Sequence, residues 1–248
     1  MAIEPQKIYA VWLRETKRFL NSKSRIAGSL GMPLFFLVAL GAGFGSVMPG
    51  YQLFIVPGII GMTLLFNSIM TGVSVIWDRE FGFLKEMLVA PTSRTNIVIG
   101  KALGGATTAI LQGIIIMLLG FLFIGLPFLG IKNLILTFLT MLLISVTFVS
   151  LGIALASMIQ EIETFQLVMN FVIMPIFFLS NALFPIQNMP SWLQTIANLN
   201  PMTYGVDALR NLLLGNSSFP LSIDITVLLI IPTILILAAT YLFNRTSI

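Results

Sequence analysis

The sequence predicts an all-α membrane protein: six transmembrane helices, an N-terminal amphipathic interface helix, and re-entrant outer helices before the last span. Three observations carry that expectation. The 248 residues are 57% hydrophobic and 9% charged, against roughly 45–50% and 25% in a soluble domain, and the mean hydropathy is +1.01. No Asp, Glu, Lys or Arg lies between Arg25 and Asp78, Lys101 and Lys132, Lys132 and Glu161, Glu163 and Asp207, or Asp224 and Arg245. Each gap has room for one or two crossings of about 20 residues. Third, threading the chain through those gaps leaves Lys132 and Arg210 as the only outer basic residues among 13, as the positive-inside rule requires.

Residues 5–22 come first. Ile8, Val11, Trp12 and Phe19 form one helical stripe among basic residues, which predicts an interface helix with Trp12 at headgroup level and Arg14, Lys17 and Arg18 toward water or acidic lipid. Residues 26–47 exceed a signal h-region and are expected as an uncleaved first span. Met48-Pro49-Gly50 breaks the apolar run, so the second span covers 53–77. The charged block 78–101 then faces the cytoplasm. The third span is expected over 102–124, the fourth over 133–158, the fifth over 165–184 and the sixth over 223–243. Between the last two, 185–222 has too many prolines and polar residues for a plain span and is read as a re-entrant outer segment. Pro185, Pro190 and Pro201 divide it into two short helices with a turn near Asn198-Leu199-Asn200-Pro201. Backbone groups cannot stay unpaired in lipid, so the spans are helices, and the runs are too long for barrel strands. With no repeat and no low-complexity linker, residues 1–248 read as one transmembrane domain with both termini cytoplasmic, multi-pass in the cell membrane.

Composition also narrows function. The absence of Cys and His removes thiol and imidazole chemistry and the usual zinc or haem ligand sets, so no catalytic residues and no metal site are expected. The sequence pI near 9.6 reflects basic residues flanking apolar runs, which is a topology signal and not a nucleic-acid footprint. A proton- or ion-coupled carrier needs intramembrane charges, which the five gaps lack. An intramembrane hydrolase lacks acid–base groups within its spans. A non-transporting scaffold or assembly protein remains an alternative, because it too needs an inner docking surface.

The block Asp78-Arg79-Glu80-Phe81-Gly82-Phe83-Leu84-Lys85-Glu86-Met87-Leu88-Val89-Ala90-Pro91 sets Phe81, Leu84 and Leu88 at helical spacing among charges, and Pro91 ends the pattern. By itself this is a surface helix or a docking helix. Continued by Ser93-Arg94 and Gly100-Lys101, the string resembles the first inner loop of type-2 ATP-binding cassette permeases. A second match follows in Asn181-Ala182-Leu183-Phe184-Pro185, Met189-Pro190-Ser191-Trp192-Leu193, Asn200-Pro201-Met202-Thr203-Tyr204 and Asp207-Ala208-Leu209-Arg210, which is similar to the family's outer segment before its last crossing. The likeness covers essentially the whole chain and is nearest to the drug- and lipid-exporting members, although a small residue is more usual at the position of Asn181.

The resemblance implies an exporter subunit powered from outside the chain. No phosphate-binding Gly-x-x-x-x-Gly-Lys-Ser/Thr occurs, so this chain holds no cofactor, and ATP and Mg belong to a separate cytoplasmic ATPase, two copies per complex. A second permease chain, most simply an identical one, completes the pathway in the lipid bilayer, and nucleic acid is no partner. Residues 78–91 are then the coupling helix, Phe81, Phe83, Leu84 and Leu88 seating against the ATPase and Arg79, Glu80, Lys85 and Glu86 orienting it, with Gly82 and Pro91 shaping the segment. Glu161 and Glu163 are a smaller second contact or plain solvated carboxylates.

Within the spans, Asn67, Thr71 and Ser74 form one stripe and Gln166 and Asn170 lie i,i+4; they are candidates for the translocation path or for interhelical hydrogen bonds. Asp207 and Arg210, i,i+3, read as an ion pair pinning the outer segment together with Pro185, Pro190, Trp192, Asn200, Pro201 and Tyr204. Gly41/Gly45 and Gly100/Gly104 have small-xxx-small packing spacing. Trp12, Trp77, Trp192, Tyr9, Tyr51 and Tyr241 fall near span ends as an aromatic belt. An interior of Phe, Leu, Ile and 13 Met suits a hydrophobic drug or lipid-like cargo; a polysaccharide or glycolipid is the alternative within the same family.

Overall fold

A computed structural model describes residues 4–82, 93–159 and 161–245. The described residues are helices and their connections, with no strand among them. They comprise α1 (Pro5–Leu20), α2 (Lys23–Gly45), α3 (Tyr51–Glu80), α4 (Arg94–Leu119, prolonged by a π turn at Gly120–Ile124), α5 (Ile131–Met158), α6 (Ile162–Phe178), α7 (Ser191–Leu199), α8 (Pro201–Leu214) and α9 (Leu221–Arg245). Five of these, α2 to α5 and α9, are long and apolar enough to cross a membrane. The expected fifth span, 165–184, is the exception. Its helix Ile162–Phe178 is about 25 Å long at 1.5 Å per residue, short of the ~30 Å hydrocarbon core.

The helix α6 carries a π turn at Met169–Ile173, immediately before Pro175. Proline has no N–H to return to the carbonyl four residues back, and widening the preceding turn is one way the backbone absorbs that loss. Gly82 ends α3 in a similarly local way: its φ of +79° is left-handed, a conformation glycine adopts without strain. Asp78, Arg79 and Glu80 are therefore the last turn of α3 and not the start of a separate helix, which corrects the first residues of the expected coupling helix 78–91. Residues 83–91 of that segment, with Phe83, Leu84, Lys85, Glu86, Leu88 and Pro91, lie outside the described residues.

The most buried span is α3, while α2 and α9 lie at the periphery. Small residues let backbones approach α3 closely. A Cβ on Gly152 of α5 would come within 2.7 Å of the Ile69 carbonyl oxygen, and one on Gly61 within 2.6 Å of the Met202 methyl of α8. Buried Ile55, Ile59, Leu64, Leu65, Ile69 and Ile76 fill the rest of that surface.

The N-terminal helix departs from a helix lying flat on the membrane, because it packs lengthwise along the first turns of α4. Cβ atoms placed on Gly100 and Gly104 would come within 2.6 Å of the Val11 and Glu15 side chains, so the small-residue spacing there is a packing seam. The Trp12 indole donates to Thr107 Oγ1 at 2.9 Å instead of lying free at headgroup level. Arg14 and Arg18 turn toward Asp78, at 3.0 and 3.5 Å, while Lys17 is exposed as expected. Tyr51, assigned to the belt, is buried and donates to the Leu183 carbonyl at 3.0 Å.

At the end of the bundle where α1 packs, the third span, α4, begins at Arg94, earlier than the expected 102, and Lys101 is buried within it. Its ammonium has 0% exposure and pairs with Asp78 and, at 3.3 Å, with Glu15, also donating to Ser74 Oγ at 3.3 Å. One cation thus joins α1, α3 and α4. Removing one member of a buried pair strands the other's charge, which costs about 3–5 kcal/mol, whereas replacing both by apolar or neutral groups is often nearly neutral. Asp78→Asn, which leaves the fully buried Lys101 only Glu15 as an acidic partner, is therefore expected to lower the melting temperature of the purified chain sharply, and adding Lys101→Met to restore much of the loss; a double variant no better than the single one refutes the pairing.

Candidate functional site: a methionine-lined cavity between two braced ends

A cavity of about 280 Å³ opens between α2, α3 and α6. Helical spacing sets its wall: Met62, Thr63, Phe66, Asn67 and Met70 recur on one side of α3, and Gln166, Met169, Asn170 and Met174 on α6. Ser29, Met32 and Pro33 of α2 close it. Five of the 13 methionines line this one space, and the π turn of α6 brings Met169 and Asn170 to it. Unbranched thioether side chains repack around varied apolar shapes at small cost.

The structure splits the expected polar set. Asn67, Gln166 and Asn170 meet at the cavity. Gln166 and Asn170 are exposed on the single chain; the Asn67 amide donates to the Thr63 carbonyl at 2.8 Å. Thr71 and Ser74 line an adjoining cavity of about 70 Å³, which shares Asn67 and Met70 with the first and also meets Glu15, Arg25 and Gln112. Ser74 there donates to the Thr71 carbonyl and accepts from Lys101, so it belongs to the ionic brace. Nothing in hydrophobic periodicity distinguishes those two environments.

Around the end of α3 the expected coupling residues separate as well. Glu80 is exposed, Phe81 is 70% exposed, and Glu161 and Glu163 are exposed across from them in sequence. Arg79 faces inward instead: Nη2 donates to the Ala156 carbonyl at 2.9 Å and Nη1 to that of Ile159 at 3.2 Å.

The opposite end is built around Asp207. Asn200 caps α8 by accepting from the Met202 N–H at 2.9 Å, and its amide donates to the Ile176 carbonyl at 2.6 Å, so the expected turn before Pro201 also closes the end of α6. The buried Asp207 carboxylate accepts from Asn181 Nδ2 and from the backbone N–H groups of Ser218 and Phe219, at 3.0, 2.9 and 2.8 Å. Arg210 lies 3.8 Å from it, donates to the Asn181 carbonyl at 2.9 Å and stacks over Phe54 at 4.0 Å. Burial lowers the Arg210 guanidinium to about 10, opposed by Asp207, so it stays charged near neutrality. Burial, with Asp224 adding to it, raises the Tyr204 phenol, which donates to the Asn198 carbonyl at 2.7 Å. The ion pair predicted from i,i+3 spacing is present, and Asn181, the departure from a small residue, is the group it grips. Trp192 and Pro190 are exposed, and Pro185 is half-buried.

Stacked apolar helices long enough to span, basic at one end, with a methionine-lined cavity open on one side, fit an integral membrane protein of the transporter class. The comparison with known families is specific: residues 6–214 match the ABC-2 type transporter family. A putative transport permease, ycf38 of Cyanophora paradoxa, is 35% identical over 248 aligned residues, covering 92% of this chain and 85% of the relative. The probable multidrug ABC transporter permease YbhR of Escherichia coli K12 is 31% identical over 169 residues, 68% of this chain and 45% of that protein. The inner membrane transport permease YadH of the same strain is 26% identical over 228 residues, 89% of this chain and 88% of the relative. The chain belongs to the ABC-2 type transporter family and is a membrane subunit of an ABC transporter, a class that works with an ATPase partner.

Asp207→Ala leaves Arg210 buried beside an empty site and two backbone N–H groups unpaired. It is expected to cost about 3–5 kcal/mol, read as a lower melting temperature and as protease cleavage within residues 211–220; unchanged melting refutes the bracing role.

Proposed function

We propose that this chain is the permease half of an ATP-driven exporter for a hydrophobic drug or lipid-like substrate. The observation that carries the substrate class is the cavity in which five methionines surround a few neutral amides, with no charged group among its lining residues. A sugar site favours aromatic platforms, and Phe66 is the lone aromatic here. Gln166 and Asn170 are exposed amides on a helix that is otherwise apolar from Phe165 onward; lipid cannot satisfy them, which supports a second copy of the chain seated against α6 and a shared pathway.

In this reading the basic end is cytoplasmic, both termini lie there, and the short α6 with the turn after it completes a sixth crossing. The helix α7, with exposed Trp192, Ile196 and Leu199 on one face, dips with α8 into the outer leaflet. The segment 78–91 docks on the ATPase, with exposed Glu80 and Phe81 at its root and Glu161 and Glu163 as a second contact. ATP and Mg act on two partner ATPase subunits. Contacts that differ between ATP-bound and free partners are what bias the bundle between states.

Purification of the tagged chain from its host membranes is expected to recover a nucleotide-binding ATPase in equal amount; recovery of the chain without one sinks the exporter reading. Glu80→Ala combined with Phe83→Asp is expected to keep membrane insertion while reducing that association. In vesicles holding the complex, Asn170→Leu is expected to raise the half-saturating concentration of a hydrophobic dye about fivefold, one hydrogen bond being worth ~1 kcal/mol. Preferential export of a hydrophilic glycan removes the substrate proposal.

A further inference from the structure

The chain joining α3 to α4 leaves α3 directly after Arg79–Glu80 and enters α4 at Arg94, so two arginines bracket it. Both reach sideways to helices that are distant in sequence. Arg79 bonds the carbonyls of Ala156 and Ile159 at the end of α5, and Arg94 Nη1 donates to the Phe243 carbonyl near the end of α9 at 3.2 Å. The last four carbonyls of a helix have no donor in their own helix and carry the negative end of its dipole. A guanidinium placed there makes directed, charge-assisted bonds, and a planar fork can hold two carbonyls at once. The close approach of α3 and α5 at Gly72 and Gly152 holds their middles together; a guanidinium fixed to end carbonyls adds a directed bond at the helix ends, next to the connection.

We infer that Arg79 and Arg94 are positioning residues that pass a displacement of the α3–α4 connection to α5 and α9, so that one docking event moves four spans together. This rests on the reading of residues 78–91 as the ATPase contact. Neither arginine touches cargo or nucleotide. Their bonds make the ends of α5 and α9 followers of the connection, which covalent linkage alone does only for α3 and α4.

The absence of Cys makes single-cysteine reporters clean. Met158, 69% exposed at the end of α5, and position 244 in the last turn of α9 are each changed to Cys in the full chain, co-expressed with its ATPase. Maleimide labelling rates in membranes are compared with and without ATP plus vanadate. Nucleotide is expected to change both rates. Arg79→Gln should abolish the change at position 158 and keep it at 244, and Arg94→Gln should do the reverse. Arg79→Lys, able to hold one carbonyl, should reduce the response at 158 and is read alone if the Gln variant fails to accumulate. Reporters that do not respond in the unsubstituted chain, or that respond unchanged in their Gln (or Lys) variants, overturn the inference while the ATPase is present. If no ATPase accompanies the unsubstituted chain, the coupling reading falls with it.

Discussion

Hydrocarbon offers no partner to an ion or a peptide group, and most of the specific bonding in this chain answers that constraint. A charge that enters the bundle must be met by another charge, and a helix end must be met by a donor. Lys101 satisfies the first requirement by pairing with Asp78 and Glu15. Arg79, Arg94 and Asn200 satisfy the second by bonding the terminal carbonyls of α5, α9 and α6. The same groups that remove a solvation cost also join helices, so bracing at the two ends follows from insertion itself.

That bracing is unevenly distributed, which matters for the cavity. The ionic cluster ties α1, α3 and α4, and the two arginines add α5 and α9. The remaining walls, α2 and α6, meet α3 through methionine, phenylalanine and small side chains. The π turn in α6 and Pro33 in α2 further interrupt the hydrogen-bond ladders of these two helices. A space bounded on one side by a fixed helix and on two sides by weakly tied ones is suited to admit apolar molecules of differing shape.

Much of the fold was legible because charge-free gaps measure helices directly. Five spans fall where the gaps place them, and the prolines of 185–222 divide α7 from α8 at Asn200 as expected. The errors share one cause. Lys101 reads as the flank of a span, Arg14 as solvated and Arg79 as a docking charge, because hydrophobic patterning assigns each charge to an interface without asking what it pairs with. Glu15, Asp78 and Lys101 are far apart in sequence, and only packing α1 on Gly100 and Gly104 brings them together. The site was half legible for the same reason. Spacing shows the Asn67 stripe of α3 and the Gln166/Asn170 pair of α6 each by itself, and only packing joins them at the cavity; Ser74, about two turns beyond Asn67 on its stripe, is claimed by an ammonium that spacing does not show.

These constraints converge on α3. Its far half contacts α8 through Gly61 and meets the outer segment through Tyr51; its middle forms the cavity wall from Met62 to Met70; and its last turn holds Asp78 and Arg79, each bonded to a different neighbour. The close backbone approach of Gly72 to Gly152 of α5 fixes the half of α3 between the cavity and its charged end, while Pro57 interrupts its hydrogen-bond ladder only in the far half. In the coupling proposed above, a displacement applied at its charged end would reach the cavity wall through this one helix. The partners at that end decide how much of the bundle is carried with it. The polar bonds around Asp78 and Arg79 and the residues lining the larger cavity are separate sets, so under the proposed function coupling and cargo choice would rest on different side chains.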